Sequence, residues 1–207
     1  AQDDIVGVSV PATEHSVMCM GSEENEIDTF RRLICELYPA GVVSIVSDTW
    51  DFWRVITEFS QTLKAEIPLF DKNKFVDCID FALNLTKNNG AFLPELKTSF
   101  KNAGVNLVVL PNLKNSGING ATKKVNGRVL IFVNDRRHYE DTFWFTLFHE
   151  IGHVISGSLG VTTDKESYAD EYARNMLIPE ERYIDFILHC SSFSEKNIRK
   201  FADSIDR

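Results

Sequence analysis

Paired cysteines, clustered basic charge and long apolar runs are all missing from this 207-residue chain. Its four cysteines, Cys19, Cys35, Cys78 and Cys190, stand far apart and form no C-x-x-C pair. That spacing excludes a zinc ribbon and a disulfide frame, and free thiols suit a reducing compartment. Lys and Arg number 22 against 30 Asp and Glu, a net charge of -8. A nucleic-acid-binding face needs clustered Lys and Arg, so direct nucleic-acid binding is not expected. No apolar run approaches the roughly 20 residues of a membrane span, and no signal-peptide pattern opens the chain. The expectation is a cytoplasmic protein without membrane association.

What is present is ordinary in bulk and specific in one place. A composition of 43% hydrophobic and 25% charged residues suits one globular domain or two small ones. The specific place is Asp141 to Ser158, DTFWFTLFHEIGHVISGS. Its apolar residues Phe145, Leu147, Phe148, Ile151, Val154 and Ile155 cover most of a helix surface, as in a buried helix. Within it His149, Glu150 and His153 stand in the order H-E-x-x-H. Positions i and i+4 share a helix face, so both imidazoles can meet one cation. Buried ionisable groups are costly unless paired or metal-bound, which makes a metal site the natural expectation. Gly152 sits inside the motif, where glycine weakens a helix by about 1 kcal/mol. Such a glycine marks a close approach by another backbone or a ligand.

Two histidines do not complete a site, because catalytic zinc takes three protein ligands and leaves a position open. The segment from Glu166 to Pro179 spaces Ala169, Tyr172, Ala173, Met176 and Leu177 as a helix. Small Ala169 and Ala173 would let it pack closely on the first helix. Glu166 and Asp170 lie one turn apart and could both face the cation, and Asp170 could also orient a ligand histidine. HEIGH followed by E-x-x-A-D-x-Y-A-x-x-M-L-I-P resembles the ImmA/IrrE family of zinc-dependent metallopeptidases, over about residues 70–206. FWFTLFHEIGH and Ile198-Arg-Lys-Phe-Ala202 belong to the same pattern. The resemblance implies Zn2+ on His149, His153 and Glu166, with Glu150 as general base. It also implies a protein substrate, such as a helix-turn-helix transcriptional repressor. The helix-turn-helix that often precedes this domain is not visible in the sequence.

Residues 1–67 read differently. Ile5 to Val10 alternates like a strand, Glu23 to Leu37 reads as a helix, Val42 to Val46 as a buried parallel strand and Asp51 to Leu63 as a helix. VGVSVPATEHS and VVSIVSDTWDFW resemble nicotinamide phosphoribosyltransferase, over Ile5 to about Ile67. That resemblance implies active-site roles for His15 and Asp48. The Asp-Ser-Gly phosphate-binding segment of that family does not follow.

Pro68 to Asn73 reads as a linker, so the division is a short α/β segment, 1–67, and a metallopeptidase-like domain, 68–207. In the second part helices are expected at Asp71–Lys87, Leu93–Ala103, Pro179–Leu188 and Ser194–Asp203, and a strand at Val105–Leu110. Gly117–Lys124 and Arg128–Asn134 form a hairpin across Asn126-Gly127. The fold class is α+β: a zincin-like helical domain with a small antiparallel sheet. Arg136, Arg137 and His138 read as solvated loop residues.

The leading functional expectation is a zinc metalloendopeptidase in which Glu150 takes a proton from zinc-bound water. One alternative is a non-catalytic, metal-containing regulatory module of a toxin–antitoxin or phage repressor system. A second is a fragment of a nicotinamide phosphoribosyltransferase.

Overall fold

A computed structural model of the chain describes residues 67–87, 92–110, 119–134, 140–157 and 166–206. Expectations for residues 1–66, and those for Arg136, Arg137 and His138, lie outside the described residues.

Helix α1 spans Lys72–Leu85 and starts where Asp71 accepts the N–H groups of Asn73 and Lys74, at 2.9 and 3.2 Å. That side chain satisfies donors the first turn would leave orphaned. Phe75, Cys78, Ile79, Ala82 and Leu85 recur at helical spacing and are buried. Helix α2 (Leu93–Asn102) opens on Pro94, which has no N–H to lose there, and buries Leu93, Leu96 and Phe100. It stops at Gly104, whose φ of +79° is open to glycine at little cost. A Cβ on Gly104 would stand 2.5 Å from the Leu69 carbonyl carbon, so the chain entering α1 fits only against a bare backbone.

Strands β1 (Val105–Leu110), β2 (Gly120–Val125) and β3 (Arg128–Asn134) form one sheet in the order β1-β3-β2. Asn126 and Gly127 join β2 to β3 with φ of +52° and +76°. Positive φ at both central residues matches the right-handed twist of a two-residue hairpin. The antiparallel expectation holds for β2 and β3 but not for β1, which runs parallel to β3 with Leu107 opposite Ile131. The reason lies in β3. Its residues Val129 to Val133 are all buried, so it is a central strand and needs a neighbour on each edge.

Helix α3 (Glu140–Ser156) lies across the sheet and inserts Phe143, Leu147, Phe148, Ile151 and Val154 into the core. Phe92, Phe143 and Trp144 meet with ring centroids 4.6–5.5 Å apart. Such aromatic contacts add about 0.5–1.5 kcal/mol beyond area burial. Helix α4 (Glu166–Leu177) packs on α3 through Ala169 and Ala173, both fully buried. Helices α5 (Glu180–His189) and α6 (Glu195–Ser204) follow, with Pro179 and Ser194 as their N-caps. Among the described residues, then, six helices and three strands make the expected α+β fold. No described helix is long and apolar enough to cross a membrane.

Cys78 is buried against α2, with its thiol donating to the Ser99 carbonyl at 3.2 Å. Burial pushes the thiol pKa up, the Ser99 bond pulls it down, and Asp77 adds upward. A raised pKa means less thiolate at any given pH, and only thiolate alkylates. Iodoacetamide at pH 8 is therefore expected to label the half-exposed Cys190 at least tenfold faster than Cys78. Peptide mass mapping checks this, and the difference should vanish in denaturant.

Candidate metal centre

The i, i+4 spacing on α3 brings His149 and His153 together, with ring centroids 4.8 Å apart and Nε2 atoms 3.1 Å apart. Glu166, the first residue of α4, reaches both rings. Its Oε2 is 3.2 Å from His149 Nε2 and its Oε1 is 3.5 Å from His153 Nε2. Asp170, one turn later, takes the opposite side of His149, with Oδ1 2.9 Å from Nδ1. Glu166 stands at the shared face of the two rings and Asp170 behind one of them.

The donor separations fit a divalent cation. Bonds of about 2.0–2.1 Å to a tetrahedral zinc put neighbouring donors about 3.3 Å apart. The Nε2–Nε2 separation of 3.1 Å and the His149 Nε2–Glu166 Oε2 separation of 3.2 Å lie near that value, while the 3.5 Å approach to His153 is made by the other Glu166 oxygen, Oε1. A carboxylate on the remote nitrogen of a ligand imidazole fixes its tautomer and strengthens it as a donor, which is the place Asp170 holds. His153 is buried and its Nδ1 has no hydrogen-bond partner. Burial lowers the His153 pKa, an effect opposed chiefly by the charge of Glu166, so the neutral form that binds metals is favoured.

Glu150 faces the sheet. It is 5% exposed, and the Thr122 hydroxyl on β2 donates to its Oε2 at 2.5 Å. Burial pushes the carboxyl pKa up to about 8; the Thr122 bond pulls it down and the charge of Glu166 adds upward. Gly120 leaves the space this side chain occupies: a Cβ there would lie 2.6 Å from Glu150 Oε1. Thr122 and Gly120 were not among the candidate residues read from sequence. Their one signal was the strand alternation, which puts positions 120 and 122 on the same face as each other.

Gly152 has the close approach its position suggested. An added Cβ would stand 3.1 Å from Ala169 Cα and 3.3 Å from Tyr172 Cβ. Gly152→Val therefore pushes α4 off α3 and carries Glu166 away from the histidines. The expected cost is about 1–3 kcal/mol in urea unfolding. A fall in metal affinity of at least tenfold should accompany it in competition with a chromophoric chelator.

Relatives similar to part of the chain carry the name of a different class. The matches are phosphoribosyltransferases. In particular, the chain is 79% identical over 67 residues to the nicotinamide phosphoribosyltransferase of Acinetobacter baylyi, covering 32% of this chain and 13% of that protein. It is 40% identical over 60 residues to that of Mycoplasma pneumoniae, covering 29% of this chain and 13% of the relative. With that of Xanthomonas campestris it shares 37% identity over 65 residues, covering 30% and 14%. The chain thus spans 13% or 14% of the length of these relatives. No protein-family model and no solved structure matches the chain.

These relatives overturn the leading functional expectation. Their name is that of a transferase, whereas the expectation was a hydrolase: a zinc metalloendopeptidase linked to transcription regulation. The expected protein substrate, a helix-turn-helix repressor, falls with it, since nicotinamide is a small molecule. The physical reason is that a histidine pair and a carboxylate specify a cation, not a reaction. The same three side chains serve wherever one helix turn faces an acidic neighbour. No family model supports the ImmA/IrrE resemblance, which rests on the motif residues alone.

Proposed function

We propose that residues 1–67 are a segment of a nicotinamide phosphoribosyltransferase, and that this segment links the chain to transfer chemistry on small molecules. The observation that carries this reading is the 79% identity over 67 residues. His15 and Asp48 are the candidate residues, on the motifs VGVSVPATEHS and VVSIVSDTWDFW. The division at residue 67 into a transferase-derived segment and a second domain is part of the same proposal. A transferase must hold ribose and pyrophosphate, so activity requires the remainder of such a protein. The test is complementation. This chain, mixed with the Acinetobacter relative lacking the matched segment, should restore nicotinamide mononucleotide formation, and Asp48→Ala should not. Absence of both turnover and nicotinamide binding by calorimetry defeats the reading.

A second reading concerns residues 68–207 and is favoured by the convergence of His149, His153 and Glu166, whose ligand atoms all lie within 4.8 Å of one another. It takes this part as a metal-containing binding module of ImmA/IrrE type, with Zn2+ as its cation. When bound, the cation would supply Lewis acidity and tie α3 to α4. His149 and His153 would present Nε2 and Glu166 a carboxylate oxygen, while Asp170 orients the first ring. Glu150, beside them and bonded by Thr122, would be the group that holds or releases a proton. Metal content by mass spectrometry is expected near one ion per chain, and well below that in His149→Ala. A cytoplasmic location is proposed with it, consistent with the free thiols of Cys78 and Cys190.

A further inference from the structure

The stretch that reads in the sequence as a linker is held against the sheet. Ile67 is buried, and its carbonyl accepts from Arg128 Nε at the start of β3. Pro68 has no N–H to leave unpaired, and its ring restricts the backbone at Ile67 as well as its own. Leu69 crosses over two glycines. A Cβ on Gly104 would lie 2.5 Å from its carbonyl carbon, and one on Gly127 would lie 3.0 Å from its Cδ2. The Phe70 N–H donates to the Gly127 carbonyl at 2.9 Å, and the Asp71 N–H to the Ala103 carbonyl at 3.0 Å. The Phe70 ring meets Phe75 edge-on at 5.5 Å, and Asp71 caps α1.

These partners belong to two turns. Ala103 and Gly104 lead into β1, and Gly127 and Arg128 lead into β3. Because β1 and β3 run parallel, their starts lie side by side, with Val105 opposite Val129. No tight turn can join parallel neighbours, so that end of the pair is tied from outside. The Val129 N–H reaches the Gly104 carbonyl at 3.1 Å, and residues 67–71 bond to both turns across this join. Arg128 braces the same place, with Nη1 donating to the Asn126 carbonyl at 3.2 Å. The residues that hold Glu150 lie farther along the hairpin: Thr122 pairs with Ile131 and Gly120 with Val133, away from the Asn126-Gly127 turn.

We propose that residues 67–71 are a rigid strap of the α+β domain, not a linker, and that they fix the attachment point of residues 1–66 at the turn end of the β2–β3 hairpin. A pull or a cut at Ile67 then acts on the start of β3 through Arg128, whereas a flexible tether would absorb it. The strap is independent of the transferase resemblance and of the cation.

Hydrogen exchange of the full-length protein tests the strap first. The Phe70 and Asp71 amides should exchange about a hundredfold more slowly than in an unstructured peptide, as hydrogen-bonded amides in stable elements do. Limited chymotrypsin digestion should spare Leu69 and Phe70, although Leu69 is 65% exposed. Arg128→Met should speed cleavage there by about tenfold, the equivalent of one hydrogen bond from a charged donor. A Gly-Ser pair inserted between Leu69 and Phe70 should lower the thermal midpoint by about 4–8 °C, for two lost backbone bonds in a chain of this size. Should that insertion prevent folding, the exchange and digestion measurements stand without it. Phe70 and Asp71 amides that exchange at the rate of an unstructured peptide overturn the proposal. So does an insertion that leaves the midpoint unchanged, or an Arg128→Met protein digested at Leu69 and Phe70 no faster than the wild type.

Discussion

Zinc at a free concentration a thousandfold above its Kd raises the melting temperature of the wild-type chain by about 8–16 °C and leaves that of His149→Ala unmoved. The figure follows from linkage. A ligand that binds only the folded state stabilises it by about 4 kcal/mol at that ratio. In a chain of this size each kcal/mol shifts the midpoint by about 2–4 °C. The restriction to the folded state is structural. His149 and His153 come from α3 and Glu166 from α4, so the donor atoms come within 4.8 Å only when α4 is packed on α3. Glu166→Gln should weaken the shift by removing an anionic donor. Asp170→Asn should reduce affinity by about 10–100-fold, the usual effect of losing a ligand's hydrogen-bond partner. Thr122→Val should leave the shift intact, because Thr122 bonds Glu150 and no ligand. Differential scanning fluorimetry with and without zinc measures all four variants. An equal shift in His149→Ala would move the cation to another part of the chain.

Phe148→Ala costs the fold about 3–5 kcal/mol, a large share of the 5–15 kcal/mol typical of a domain. Phe148 is fully buried on α3, next in sequence to His149, with its ring 6.4 Å from that of Trp144. Truncation removes the transfer energy of the ring and leaves a cavity between α3 and its neighbours that a close-packed interior fills only in part. Urea unfolding should show a lower midpoint at an unchanged slope. Phe148→Leu should lose less, because it keeps most of the volume. Phe145→Ala is the control: that side chain is 37% exposed on the same helix and should cost well under half as much.

How much of this was legible without coordinates depends on how far apart along the sequence the interacting residues lie. Asp71 as a cap, Asn126-Gly127 as a turn and Ser194 as a cap are contacts within a few residues, and each forms where its local chemistry places it. The histidine pair is equally local, since four residues of helix return a side chain to its own face. Thr122 and Gly120 were not legible. Nothing in Gly-Ala-Thr-Lys-Lys announces that its strand will lie beside a glutamate 28 residues later. The parallel pairing of β1 with β3 was missed for a related reason. The turn chemistry joins β2 to β3, whereas the place of β1 depends on which edge of β3 stays free. The reaction was read from the motif alone, and a histidine pair with a carboxylate names no reaction, whereas the relatives carry the name of a transferase.

By itself the sequence determined the helices, the turn between β2 and β3, and the pairing of His149 with His153, because helical and extended periodicity and cap chemistry act over a few bonds. Only the tertiary structure decided how closely Glu166 and Asp170 approach the imidazoles, and that Glu150 turns to the sheet. Those outcomes depend on how closely α4 approaches α3, and that distance is set by Gly152 against Ala169, two residues with almost no side chain. Small residues give little local preference, yet they fix the spacing of the helices that carry the charged groups.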